Sequence, residues 1–149
     1  MSNELSGSNL EQYCGFKIGD DSFAISVLRV QEIIRQHSLT IIPKSPKHIK
    51  GLINLRGQIV TAVSLRTMFE LEDSQSEQQM NIIVQIGEDL YAVIVDEILD
   101  VIEVSNETFE HTPENIDKRL SEYISGVHKL KDKLLILLDL DKLLATEQV

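Results

Sequence analysis

Around residue 56 the chain reads Ile53-Asn-Leu-Arg-Gly-Gln-Ile59, a guanidinium set among apolar neighbours. An unpaired arginine is costly to bury, so Arg56 must either reach water at a turn or meet a partner. Asn54 adds an amide, Arg56 a planar fork of five N–H donors, and Gly57 a stretch of backbone free of side-chain obstruction. Such a set suits the capture of carboxylates or carbonyls on another macromolecule. A plain solvated turn is the alternative; the residue types favour an interface.

Reactive chemistry is harder to find. The chain has no Gly-x-x-x-x-Gly-Lys phosphate loop, no Gly-x-Gly-x-x-Gly and no Gly-x-Ser-x-Gly elbow. His37, His48, His111 and His128 are isolated, with none at the i, i+4 spacing of a helical metal site, and they are read as scattered surface residues. Cys14 has no adjacent base in sequence. The paired acids Asp20/Asp21 and Glu88/Asp89 are read as solvated turn residues. The expectation is a protein without catalysis, cofactor or metal. A small hydrolase is the competing class, and it would need titratable groups converging in one cleft.

The elements that must position Arg56 come from a repeat. Ile18-Gly-Asp-Asp-Ser-Phe-Ala-Ile-Ser-Val27 matches Ile86-Gly-Glu-Asp-Leu-Tyr-Ala-Val-Ile-Val95, each a strand, an acidic turn and a strand. At a spacing of 75, Gly51-Leu52…Leu55…Ile59-Val60 matches Gly126-Val127…Leu130…Leu134-Leu135. Both segments then run into a short helix, beginning at the N-cap residues Ser64 and Asp139. The fold class expected is therefore mainly all-β: two small barrels from an internal duplication, with short helices. In the second copy Lys131 stands where Arg56 does, and Lys129 and Asp132 replace Asn54 and Gly57. Val27, Val30, Ile33 and Ile34 have helical spacing, yet their branched side chains also suit a strand. Residues 70–79 are read as a surface connection. A helical turn is expected after Pro113.

The 149 residues suffice for one domain of two joined halves, and the net charge of −10 argues against nucleic acid. Six cations against the single acid Glu32 lie between Arg29 and Arg56, so a basic patch sits on an acidic protein and suits an acidic partner surface. No apolar run approaches the ~20 residues that span a bilayer. A single cysteine and the lack of a signal peptide suggest the cytoplasm. Residues 1–12 are read as a disordered tail.

Taken in order, Val30-Gln-Glu-Ile33, Pro43…Pro46…Ile49-Lys50-Gly51, Asn54-Leu-Arg-Gly57, Leu65-Arg66, Val95-Asp96 and Ile124-Ser-Gly126 resemble the CheW family of bacterial chemotaxis coupling proteins. The resemblance implies one CheW-like domain over 13–149, with SH3-like five-stranded subdomains at approximately 13–70 and 80–149. It also implies an adaptor between the cytoplasmic tips of methyl-accepting chemoreceptors and the regulatory domain of the histidine kinase CheA. In such an adaptor, receptor tips lie in a groove between the subdomains. Apolar barrel ends meet the kinase, so that kinase and coupler can alternate in rings at the membrane-bound receptors, with self-association in such rings a further possibility. Carried over by position, Arg56, Asn54 and Gly57 would form the receptor- or kinase-binding site, with Val30, Glu32 and Ile33 on the neighbouring surface. Two departures stand out: Thr61 where the family commonly has Pro, and Ser64 where it has Asp. The family also includes couplers of twitching-motility systems, the alternative circuit, and a chain of this length leaves no room for the ~120 residues of a fused receiver domain.

Overall fold

In the computed structural model of the chain, residues 10–72, 78–112, 114, 116 and 118–145 are described. Among the described residues eleven strands form two sheets: β1 (Leu10–Ile18), β2 (Asp21–Ser26), β3 (Val30–Arg35), β4 (Ile49–Leu55), β5 (Gln58–Ser64), β6 (Met80–Ile86), β7 (Asp89–Val95), β8 (Glu97–Ser105), β9 (Phe109–Glu110), β10 (Ile124–Lys129) and β11 (Leu134–Leu138). Three short helices are α1 (Leu65–Met68), α2 (Lys118–Ser121) and α3 (Leu140–Ala145). The chain is mostly β, with two SH3-like subdomains. Val27–Arg29 takes a 3-10 turn before β3, so the ambiguous apolar run is a turn and then a strand.

One compact unit comprises Lys17–Asp20 and Leu28–Ile98, and holds the sheet β3-β6-β7-β5-β4. Its core is Ile53, Leu55, Val60, Ala62, Ile83 and Ala92, with Ile34, Leu90 and Ile94 packed against it. Ile34 of the edge strand β3 packs on the same core as Ile53 and Leu55 of the other edge strand, so the sheet curls on itself as a small barrel must.

The other unit runs up to Phe16, then takes Asp21–Val27 and everything from Leu99, and holds the sheet β8-β1-β2-β11-β10-β9. Six strands replace the five expected, because β9 adds itself to β10. In the first unit the same place carries only an isolated bridge, Thr40 to Leu52. The core around Ala24, Leu135 and Leu137, with Tyr13, Ile102 and Leu130 packed on it, repeats part of the first unit's: Ala24, Ile102, Leu130, Leu135 and Leu137 stand where Ala92, Ile34, Leu55, Val60 and Ala62 do.

The duplication appears in the register. Strand β5 lies parallel to β7 with Thr61 opposite Tyr91 and Ala62 opposite Ala92. In the other sheet β11 lies parallel to β2 with Ile136 opposite Phe23 and Leu137 opposite Ala24, the equivalent residues of the repeat. The register shifts also correspond, between Ile49 and Gly51 and between Ile124 and Gly126. Both helix caps form as expected: Ser64 Oγ accepts from Thr67 N–H at 3.2 Å, and Asp139 Oδ1 from Lys142 N–H at 3.1 Å.

The units do not follow the halves expected at approximately 13–70 and 80–149; each takes its two central parallel strands from different copies of the repeat. Of the expected tail 1–12, residues 1–9 lie outside the described residues, while Leu10–Gln12 begin β1. Pro113 and residues 73–77 of the connection also lie outside them, and the helical turn observed is α2.

Candidate functional site

Strands β4 and β5 are joined by two residues, with Leu55 opposite Gln58. Arg56 has φ 52° and Gly57 φ 88°, both left-handed, the geometry of a type I′ hairpin turn. That turn matches the natural twist of the strands, and Gly57 enters it without strain. Asn54 Oδ1 accepts from Gly57 N–H at 2.9 Å and fastens the turn from one strand end. A side chain at Gly57 would meet nothing within 4 Å, so the apex stands open.

Arg56 uses both escapes from burial. Its side chain is 69% exposed, and its Nη2 donates to Glu32 Oε1 at 2.9 Å and Oε2 at 2.6 Å. Nε and Nη1 have no partner among the described residues, which leaves donors directed to solvent. Glu32 sits on β3, the opposite edge of the sheet, so the pair also ties the two edges of the curled sheet together. The Glu32 carboxylate bonded to Arg56 holds the guanidinium firmly in its charged form. In the second copy Lys131 and Asp132 keep negative φ, and Lys131 makes no such pair with Asp100, the counterpart of Glu32.

The structure thus gathers Arg56, Asn54, Gly57 and Glu32. Strand alternation separates the others: Glu32 and Ile34 lie half-buried on one side of β3, whereas Ile33 is exposed on the other. Val30 is half-buried beyond the bulge that precedes Glu32.

A second ion pair went unread in the residues. Arg66, on α1, grips Asp96 with Nε at 2.8 Å from Oδ1 and Nη2 at 2.8 Å from Oδ2, while Nη1 donates to the Glu72 carbonyl. Gly19 N–H and Gln79 Nε2 complete the carboxylate's shell. Burial by itself would raise the Asp96 carboxyl; the Arg66 fork and the Gly19 amide outweigh it and hold the group below its usual range. With both side chains about four-fifths covered, this is a structural knot.

His128 corrects the expectation of four surface histidines. It is 2% exposed, packed between Tyr13 and Phe109, with Nδ1 2.8 Å from Thr108 Oγ1. The spacing of 75 pairs it with Ile53, a core residue, and that was the available signal. Among the described residues no group of histidine, cysteine or acids is arranged to hold a metal, and no helix is long and apolar enough to cross a membrane.

Known proteins can now be set beside this geometry. The CheW-like domain matches residues 12–148. The chain belongs to the CheW-like family. It is similar to the chemotaxis protein CheW of Klebsiella aerogenes, 32% identical over 149 residues, covering 99% of this chain and 90% of that one. Similarity extends to the CheW of Bacillus subtilis, 30% identical over 138 residues with 92% and 88% covered. Protein PilI of Pseudomonas aeruginosa is 26% identical over 114 residues, covering 76% of this chain and 64% of that one. Among solved structures, the scaffolding protein TtCheW of Thermoanaerobacter tengcongensis superposes with a TM-score of 0.79 at 27% identity, over 87% and 88% of the two chains.

Proposed function

We propose that this chain is a non-catalytic cytoplasmic adaptor that joins methyl-accepting chemoreceptor tips to the histidine kinase CheA, with Arg56, Asn54, Gly57, Glu32, Val30 and Ile33 on its binding surface. The observation that carries this reading is the backbone of Arg56. A left-handed conformation at a non-glycine residue costs about 1–2 kcal/mol, and glycine or asparagine would fill that apex more cheaply. The chain instead presents a charged fork there, which points to use of the side chain rather than of the turn. The basic run from Arg29 to Arg56 suits an acidic rim on a helical partner, and exposed Ile33 and Ile59 supply apolar area nearby in sequence. The same exposed pattern recurs in the second copy at Val101 and Leu134. Individually modest contacts would gain strength by repetition in an array.

The test is co-sedimentation of the purified protein with receptor–kinase complexes. Arg56→Glu is expected to reduce the bound fraction severalfold while the thermal melt moves by only a few degrees, since the side chain is exposed. Unchanged binding would remove the proposal, and a collapsed melt would return Arg56 to a structural role.

A second reading, a coupler of a pilus-based motility system, is supported by the similarity to PilI. Capture from native lysate separates the two, because the receptors and kinase that accompany the bait differ between the circuits.

A further inference from the structure

The six-stranded unit contains a buried ionisable group that plays no part in the coupling surface. His128 lies on β10 and touches three separate elements through its ring. On one side Tyr13 of β1 stands tilted at 5.8 Å between centroids. On another, Phe109 of β9 meets it edge-on at 5.5 Å. The third contact is Thr108 Oγ1, in the turn that leads into β9, 2.8 Å from Nδ1 and itself 3.3 Å from the Ser105 carbonyl.

Among the described residues, strand β9 has little else to hold it. It is two residues long and pairs with β10 only through Val127 opposite Glu110 and His128 opposite Phe109. Its Phe109 ring lies over Gly126, where a Cβ would come within 2.4 Å of the ring. One exposed ion pair, Lys129 with Glu110 at 3.6 Å, spans the two strands.

We propose that β9 is a proton-operated strap: charging of His128 releases Phe109–Glu110 from β10 and uncovers the outer edge of that strand. An imidazolium must donate from both ring nitrogens, and Thr108 Oγ1 is the single hydrogen-bond partner that His128 has among the described residues. Among the described residues no carboxylate bonds the ring in place of the missing acceptor, and Glu11 acts on it only through its charge. On β1, Glu11 takes the Tyr13 hydroxyl; on β9, Glu110 is committed to Lys129; in the turn, Glu107 is exposed; and β11 offers Leu135 opposite the ring. His111 stands edge-on to Phe109, 5.9 Å between ring centroids, and offers no counter-charge. Burial already pushes His128 below the ordinary imidazole value, against the opposing pull of Glu11. The neutral form therefore belongs to the closed strap and the cation to the open one. Opening is favoured as pH falls through the ordinary imidazole range near ~6.5. The strand edge bared in this way has free N–H and C=O groups, and a partner's extended segment can pair with them.

The experiment is amide hydrogen exchange on the intact protein between pH 7.5 and 5.5, corrected for intrinsic exchange rates, together with a side-chain NMR titration of His128 and Phe109. In the wild type, protection of residues 108–110 and 126–128 is expected to fall by roughly tenfold at pH 5.5, one pH unit below the free imidazole value. His128→Phe, which keeps the ring contacts without the charge, should be protected equally at both pH values. The Phe109 resonances should move with those of His128. Protection in the wild type that does not change, or a fall that persists in His128→Phe, would overturn the proposal. So would a His128 ring that titrates while Phe109 stays put, and that measurement needs no variant to fold.

Discussion

Arg56 and Arg66 lie ten residues apart and do opposite work. Arg56 is mostly exposed and bonds one carboxylate through one nitrogen, so its pairing contributes little to stability and its charge stays available. Arg66 is mostly covered, uses three nitrogens and gathers Asp96, the Glu72 carbonyl and, through Asp96, the Gly19 amide. Removing it would leave a half-buried carboxylate without its counter-ion. Arg66→Ala should therefore cost about 2–3 kcal/mol, read from urea unfolding at pH 7. The pH dependence follows from the depressed Asp96 carboxyl. Its contribution is complete above the unfolded carboxylate value of ~3.9 and is lost as pH falls through the lower native value. Urea titrations from pH 5 downward should show a steeper loss of stability in the wild type than in Arg66→Ala; equal slopes would remove Asp96 from the acid response. The notable types at 66 and 96 were visible in the residues, but their partnership was not, because 30 positions separate them and only the packing of α1 beside β7 brings them together.

At the level of elements, the two glycines of the β4–β5 hairpin answer to different forces. Gly57 is left-handed with open space around it, so only backbone strain opposes a side chain there. Gly51 has φ 147° at the bulge, and an added Cβ would lie 2.6 Å from the Thr40 carbonyl oxygen, a backbone atom held by the bridge to Leu52. Gly57→Ala should cost about 1 kcal/mol, and Gly51→Ala about 2–4 kcal/mol with loss of the Thr40–Leu52 bridge. Thermal melts and amide exchange at Leu52 check both, and equal costs would contradict the close approach at Gly51. The turn itself was legible from Arg-Gly between two apolar runs. The bulge was not, since a register shift depends on the strand alongside.

For the whole molecule, the central fact is that each sheet joins strands from both copies of the repeat through its parallel pair, β5 with β7 and β11 with β2. A chain opened by a protease site placed within residues 73–77 should therefore remain one species in native gel filtration and separate into two fragments in urea. Fragments that part in native buffer would contradict the exchange. Composition, charge and the matched segments by themselves determined a β-rich duplicated protein, its capped helices and a cationic hairpin apex, because alternation, turn chemistry and capping are local. His128 shows where local reading ends: its type suggests a surface residue, while its place in the repeat, opposite Ile53, marks the core. Only the tertiary structure decided that β1–β2 completes the C-terminal sheet, that Glu32 meets Arg56, and that His128 is enclosed. Strand partnership and burial are set by which surfaces exclude water together, and residues distant along the chain make that choice jointly.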